Sequence, residues 1–392
     1  MSARNAILRS VLGAAALCFA AGASAQGAQN APIKVGFMLP YSGTYANLGQ
    51  MIENGFKLFV AEQGGKLAGR ELQYFKVDDE SEPAKATDNV NKLIKRDAVD
   101  VVVGTVHSGV ALAMAKVAKD TNTLLIIPNA GADAITGPMC AKNIFRSSFS
   151  NWQPAYAMGK VAAERKHKRA MTITWNYAAG TESAKGFKDG FEKGGGKVIG
   201  DLLLPFPNVQ FQALLTQIAA QKPDAVYAFF AGDGAVKFVK DYVAAGLNKT
   251  IPLYGPGFLT DGTLEAQGSA AQGMTTTLHY ADNLNTPRDN AFRLSFAKAY
   301  KTNADVYAVQ GYDAAQMLLA GLKNANGNIK DHDKFAAGIR STTFDSPRGK
   351  FKMSAANNPV QDMYVRVVKG NYNEYKGIAV KALPDPGQGC KI

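Results

Sequence analysis

From Pro32 onward, apolar and polar positions follow two alternating periods. Ile33–Leu39 is a nearly unbroken apolar run, as expected of a strand buried on both faces. Leu48, Ile52, Phe56 and Phe59 then share one face of a helix. The same reading predicts strands over 71–77, 99–104 and 124–127, the last ended by Pro128, with helices over 84–95 and 111–119 between them. The pattern then begins again. Strands are predicted over 171–175, 197–204, 225–230 and 251–254, with helices over 183–193, 211–221 and 235–245. Strands separated by helices of this length imply parallel sheets covered on both faces, so the expected fold class is α/β with two doubly wound lobes. No internal sequence repeat proves a duplication.

Beyond 279 the pattern changes. Helices over 289–300 and 307–322 precede an antiparallel pair, 363–368 and 375–378, around Lys369-Gly370-Asn371. No further parallel sheet follows, and 379–392 reads as a tail, rich in Pro and Gly and irregular over 383–388.

Length agrees with two lobes, because 392 residues exceed what one compact core organises. At the N-terminus, Arg4 and Arg9 precede an apolar run over 11–21, and Ala23-Ser24-Ala25 supplies a small-x-small site. Residues 1–25 are therefore expected to be a signal peptide cleaved after Ala25, in an exported protein. A lipid anchor on Cys18 is the weaker reading, because bulky Leu17 precedes it. No later stretch approaches the roughly 20 apolar residues of a membrane span. Net charge is +12, falling to +10 without the two Arg of the signal. The basic residues are mixed with acids rather than clustered, which argues against a nucleic-acid partner. Cys140 and Cys390 remain in the exported chain, where one disulfide pinning the tail is expected; two unpaired thiols are the alternative.

The familiar catalytic patterns are missing: no G-x-S-x-G, no H-E-x-x-H, no Walker A loop. Pro40-Tyr41-Ser42-Gly43 is no dinucleotide loop, and Gly232-Asp233-Gly234 reads as a helix-initiating turn. His107, His167, His279 and His332 lie far apart. Asp78-Asp79-Glu80 reads as a capping loop before it reads as a metal site. No cofactor and no metal are expected.

In open α/β sheets, ligands bind beyond the carboxyl ends of the strands. In lobe one the loops there hold Tyr41, Ser42 and Tyr45; His107, Ser108 and Gly109; and Asn129, Ala130 and Gly131. Backbone N–H groups at such helix starts attract a carboxylate; plain helix capping by Ser42 and Ser108 competes with that role. In lobe two the loops are aromatic: Trp175-Asn176-Tyr177, Phe229-Phe230 before Asp233, and Phe258. Phe229 is expected in the core with Phe230 pointing the other way. Tyr177 and Phe258 either face a cleft or pack the lobe.

In this order, Ile33-Lys34-Val35-Gly36, Ser42-Gly43 with Gly49, Val101-Val102-Val103-Gly104 with Ser108, Ile126-Ile127-Pro128, Phe145-Arg146, Ala244-Ala245-Gly246-Leu247 and Tyr312-Asp313-Ala314-Ala315 carry a resemblance. The exported chain resembles the leucine/isoleucine/valine-binding family of receptors for ABC transporters (type I periplasmic binding proteins). That resemblance implies two lobes joined by a three-segment hinge near Ser147, His279 and Asp345. Lobe one then comprises 31–147 with 279–345, and lobe two 148–278 with 346–378. It also implies a monomeric periplasmic receptor that closes over a small ligand, is read by a membrane permease and catalyses nothing.

The departures bear on specificity. Amino-acid-binding members of that family use a Ser, a Thr, a Tyr and an acid around the amino-acid head group. Ser108 or Gly109 fills the first position, but the Thr position holds Gly131, the acid position Gly257, and the Tyr position Gly180 with Tyr177 nearby. Without that acid a bound ammonium would be unpaired. The stretches Ser150-Asn151-Trp152-Gln153-Pro154 and Trp175 to Gly180 look like the subgroup that takes up aromatic acids. They imply a benzoate- or cinnamate-type carboxylate held by Ser108, Gly109 and Ala130 amides, with Trp152 and Tyr307 near it and His107 either bonding it or capping a helix. A receptor for branched-chain amino acids, amides or urea-like solutes, and an exported enzyme, are the competing readings.

Overall fold

The computed structural model describes residues 31–392; the signal reading over 1–25 lies outside them. The first sheet is built from β1 (Ile33–Leu39), β2 (Lys66–Leu67), β3 (Arg70–Asp78), β4 (Val101–Val103), β5 (Leu124–Ile127) and β6 (Ile144–Arg146), in the order β2-β3-β1-β4-β5-β6. All its pairings are parallel except β2 with β3. The unbroken apolar runs follow from burial on both faces. Phe37, Val101 and Val103 enter one apolar cluster, whereas Met38 and Val102 enter another on the opposite face.

The second sheet repeats the winding. β7 (Arg169–Trp175), β8 (Lys197–Leu204), β9 (Ala225–Phe229), β10 (Leu253–Pro256) and β11 (Thr275–Leu278) lie in the order β8-β7-β9-β10-β11, all parallel. Thus β7 sits between β8 and β9 as β1 sits between β3 and β4. At each of these points the strand order reverses, which opens a crevice beyond the strand ends.

The late part of the chain extends the second sheet. β12 (Phe344–Ser346), β13 (Gly349–Met353), β14 (Pro359–Lys369) and β15 (Tyr372–Leu383) are antiparallel, with β14 paired to β11. β14 and β15 run longer than the expected pair, so β15 continues past 379 to Leu383. The sequence reading had no strand at β12 or β13 and no helix at His332–Ser341, because short polar segments show too few apolar positions to define a period. Cys140 and Cys390 are disulfide-bonded with their Cα atoms 5.5 Å apart, which holds the tail on lobe one.

In both lobes, helices pack through glycines. A Cβ on Gly55 would stand 1.9 Å from Ala308 O, and one on Gly311 1.9 Å from Ile52 O, so Ala46–Glu62 and Val306–Asn324 touch backbone to backbone. Gly159 and Gly190 do the same for Trp152–Glu164 and Ala178–Lys193 in lobe two. The chain leaves the first sheet after β6, leaves the second after β11, and re-enters it at β12. Buried arginines stitch these passages. Arg348 donates to Ser147 O (2.6 Å) and Ser148 O (3.1 Å) and pairs with Asp313 (3.0 Å). Arg366 pairs with Asp261 (2.7 Å) and donates to Tyr280 O (2.9 Å).

Candidate functional site

The strand-end loops of the two lobes meet. Tyr45 Oη and Tyr177 Oη lie 3.0 Å apart across the seam, and the His107 ring stacks on Tyr177 with centroids 4.4 Å apart. Between these loops lies a small, tightly lined cavity. One part of its lining is apolar: Leu48, Val106, Phe149, Ala179, Phe229, Ala231 and Phe258. The rest is polar but uncharged: Tyr45, Ser108, Asn129, Gly131, Asn151, Tyr177 and Tyr307. Phe149 and Phe258 face each other at 4.7 Å, tilted by 35°, and Phe258 lies 6.4 Å from both Phe229 and Tyr307.

Burial sets the chemistry of these groups. It holds the hydroxyls of Tyr45 and Tyr177 well above the ordinary tyrosine value, so both stay protonated and able to donate. The Tyr307 hydroxyl is buried without a hydrogen-bond partner. Asn151 Nδ2 donates to Ser108 Oγ (3.3 Å), and Asn129 Nδ2 donates to Gln310 Oε1 (2.7 Å). The site can therefore offer an anion neutral donors at the start of the helix Ser108–Thr121, and offer a flat apolar group three phenyl rings.

Of the residues expected at the site, Tyr45, Ser108, Asn129, Gly131, Tyr177, Phe258 and Tyr307 line the cavity. The others do not. Tyr41 turns outward, donating its phenol to Glu53 (2.6 Å) and its backbone N–H to Asp78 (2.9 Å). Ser42 is exposed beside Asp78. Burial pushes His107 down to about 4, and its Nδ1 accepts from the N–H groups of Gly109 (3.1 Å) and Val110 (3.4 Å). It is a neutral helix cap, and it occupies the Gly109 amide that was expected to hold a carboxylate. The Ala130 amide is also occupied, by Thr105 O (2.9 Å). Trp152 stacks on Tyr156 at 4.3 Å and donates its indole N–H to Asp189 (2.8 Å). Asp233 is exposed in the first turn of the helix Gly232–Ala244.

The Phe229-Phe230 pair is reversed from expectation. Phe229, the last residue of β9, reaches the cavity. Phe230 folds under the following helix against Trp175, Phe211 and Phe238, at 5.1, 5.0 and 4.6 Å. Phe149 and Asn151, which line the cavity, carry no sequence signal that marks them; both lie in the passage from β6 to the second lobe, just before Trp152. The Asp78-Asp79-Glu80 trio is structural: Asp79 accepts from Ser81 N (2.8 Å) and from the Thr105 hydroxyl. Among the described residues no group of His, Cys, Asp and Glu is placed to hold a metal ion.

Residues 32–373 match the family described as periplasmic binding protein. A solute-binding protein of an ABC transporter from R. palustris, whose structure is a complex with benzoate, is 51% identical; the match covers 92% of this chain and 100% of that one, with a TM-score of 0.89. Another, from Rhodopseudomonas palustris BisB5 in complex with 3,4-dihydroxybenzoic acid, is 29% identical over 91% and 99% of the two chains, with a TM-score of 0.85. Leu/Ile/Val-binding protein homolog 6 of Brucella melitensis biotype 1 is 26% identical over 366 residues, 91% of this chain and 93% of that protein. The chain therefore belongs to the periplasmic binding protein family, whose members are not enzymes but solute-binding receptors of ABC transporters that work with a membrane permease.

Proposed function

We propose that this receptor carries a small aromatic carboxylate, of benzoate or cinnamate type, in the cavity between its lobes. The observation that carries the reading is the lining itself, in which phenyl walls and neutral donors stand without any carboxylate. A carboxylate ligand takes the Ser108 hydroxyl and the one phenol proton that the Tyr45–Tyr177 bond leaves free, and its ring lies against Phe149, Phe229 and Phe258. Burying one ring there contributes several kcal/mol, on the order of 25 cal/mol per Å² of apolar surface. The benzoate complex of the 51% identical R. palustris protein supports the same ligand class.

The names of the Leu/Ile/Val-binding relatives favour an amino acid instead. An α-ammonium needs a carboxylate partner; none lines the cavity, and Asp261, the acid that follows Gly257 in the chain, is already paired with Arg366 at 2.7 Å. An unpaired ammonium there would cost several kcal/mol, of order 3–5. Thermal melts separate the readings, since a ligand at about 100 times its Kd adds roughly 2.7 kcal/mol to stability. Benzoate, 4-hydroxybenzoate or cinnamate should raise the melting point, and leucine, isoleucine, valine and urea should not. Shifts by amino acids alone would sink the aromatic reading. The chain is further read as exported with cleavage after Ala25, which intact-mass measurement of the periplasmic protein checks.

A further inference from the structure

Glu182 stands on the helix Ala178–Lys193 of lobe two, outside the residues that line the cavity. Its Oε2 accepts from Asn151 Nδ2 (2.7 Å) and, across the seam, from the backbone N–H of Asp133 in lobe one (3.0 Å). The same Asn151 amide reaches Ser108 Oγ, and the Asn151 backbone N–H donates to Gly131 O (2.7 Å). A continuous set of hydrogen bonds thus runs from the cavity wall to the lobe seam. We propose that Glu182 is a positioning residue that latches the closed clamp, so that joining Asp133 to Glu182 and turning the Ser108 hydroxyl, through Asn151, toward the ligand are one event. This rests on reading the cavity as the ligand seat.

The latch takes up a proton when it closes. Burial first, and the charge of Glu182 second, push the Asp133 carboxyl up to about 8; Arg146 opposes this and Asp385 adds to it. Burial raises Glu182 as well, against its bonds from Asn151 and Asp133 N–H. The other charges nearby are engaged: Arg146 with Asp385 (3.8 Å), and Lys185 with Asp189 (2.6 Å). Opening returns both acids to water, where carboxyls titrate near about 4. A group whose value is raised in the closed form favours closure in full below its open-form value, and that contribution is lost as pH rises through about 8. His107, kept neutral by burial on the same seam, acts in the opposite sense below about 6.5. The window that isolates the acid pair is therefore roughly pH 7 to 9.

Isothermal titration with benzoate in two buffers of different ionisation heat counts the protons. Near pH 7.5 the unaltered chain should take up a large fraction of one proton per benzoate. Its Kd should rise with pH by up to about tenfold per unit. E182Q, which keeps an acceptor but no charge, should at least halve the uptake and flatten the slope. E182A should also weaken binding by tenfold or more. A purely structural Glu182 would weaken binding with the proton count unchanged, and that result overturns the latch. If benzoate fails to bind the unaltered chain, the ligand reading falls instead, and small-angle scattering of the ligand-free chain then tests the latch. A more compact form near pH 7 than near pH 9, with the difference lost in E182Q, supports it; identical curves overturn it.

Discussion

Gly131 leaves no room for a side chain: a Cβ there would stand 2.4 Å from Asn151 Oδ1 and 2.7 Å from Phe149 Cε2. The Thr implied at this position in amino-acid-binding relatives would drive both neighbours out of place. Phe149 and Asn151 stand where they do because position 131 carries no side chain. Gly131→Ala should lower benzoate affinity at least tenfold, measured by titration, and cost about 1–3 kcal/mol of unfolding free energy in urea, the usual price of overpacking. Unchanged affinity would place the ligand elsewhere. At this scale the sequence was half legible. The loop holding Ser108 and the one holding Tyr177 could be named because sheet topology puts them at the crevice. Phe229 could not be told from Phe230, because a strand's last residue no longer obeys the alternation that fixes which way its neighbours point. Sequence alone does not separate ligand contact from helix cap at His107; in the structure its Nδ1 accepts from two backbone N–H groups, as a cap does.

The elements that join the lobes rest on buried charge. Arg348 and Asp313 are both buried, and Arg348 ties the first passage, at Ser147 and Ser148, to Gln361 on β14 (2.7 Å). Removing one partner strands the other. Arg348→Met should cost about 3–5 kcal/mol in urea unfolding at neutral pH, and Arg348→Met with Asp313→Leu should recover most of it. Burial already raises Asp313 to about 6, and losing Arg348 raises it further. A raised folded-state value means stability is lost as pH rises, so the deficit of the single variant should shrink as pH falls toward about 5. A deficit independent of pH would show that lost packing, not the stranded carboxylate, sets the cost. Long elements were legible because Ile33–Leu39 is an almost unbroken apolar run and Val306–Asn324 repeats its period over several turns. These joining passages were not: β12 and β13 are short, and the distant arginines that hold them leave no mark on local periodicity.

The two-lobed form of the whole molecule was legible from the repeated strand and helix pattern, but the contacts by which the lobes meet were not, since those depend on which loop atoms touch. Gly232 is one such point. Its φ is +55°, and a Cβ there would stand 2.3 Å from Thr44 O in the facing lobe. Gly246 offers a control, with φ +71° and open space where its Cβ would go. Alanine at either position incurs the same left-handed backbone strain, on the order of 1–2 kcal/mol, but only Gly232→Ala drives a wedge into the seam. A ligand held by both lobes gains its affinity from the closed form, so a wedge weakens binding without touching the ligand. Gly232→Ala should therefore reduce benzoate affinity at least tenfold and keep the radius of gyration large in saturating benzoate. Gly246→Ala should melt lower by a similar amount, yet bind and compact as the unaltered chain does. If the two variants bind alike, the contact between Gly232 and Thr44 is not part of the surface on which the clamp closes.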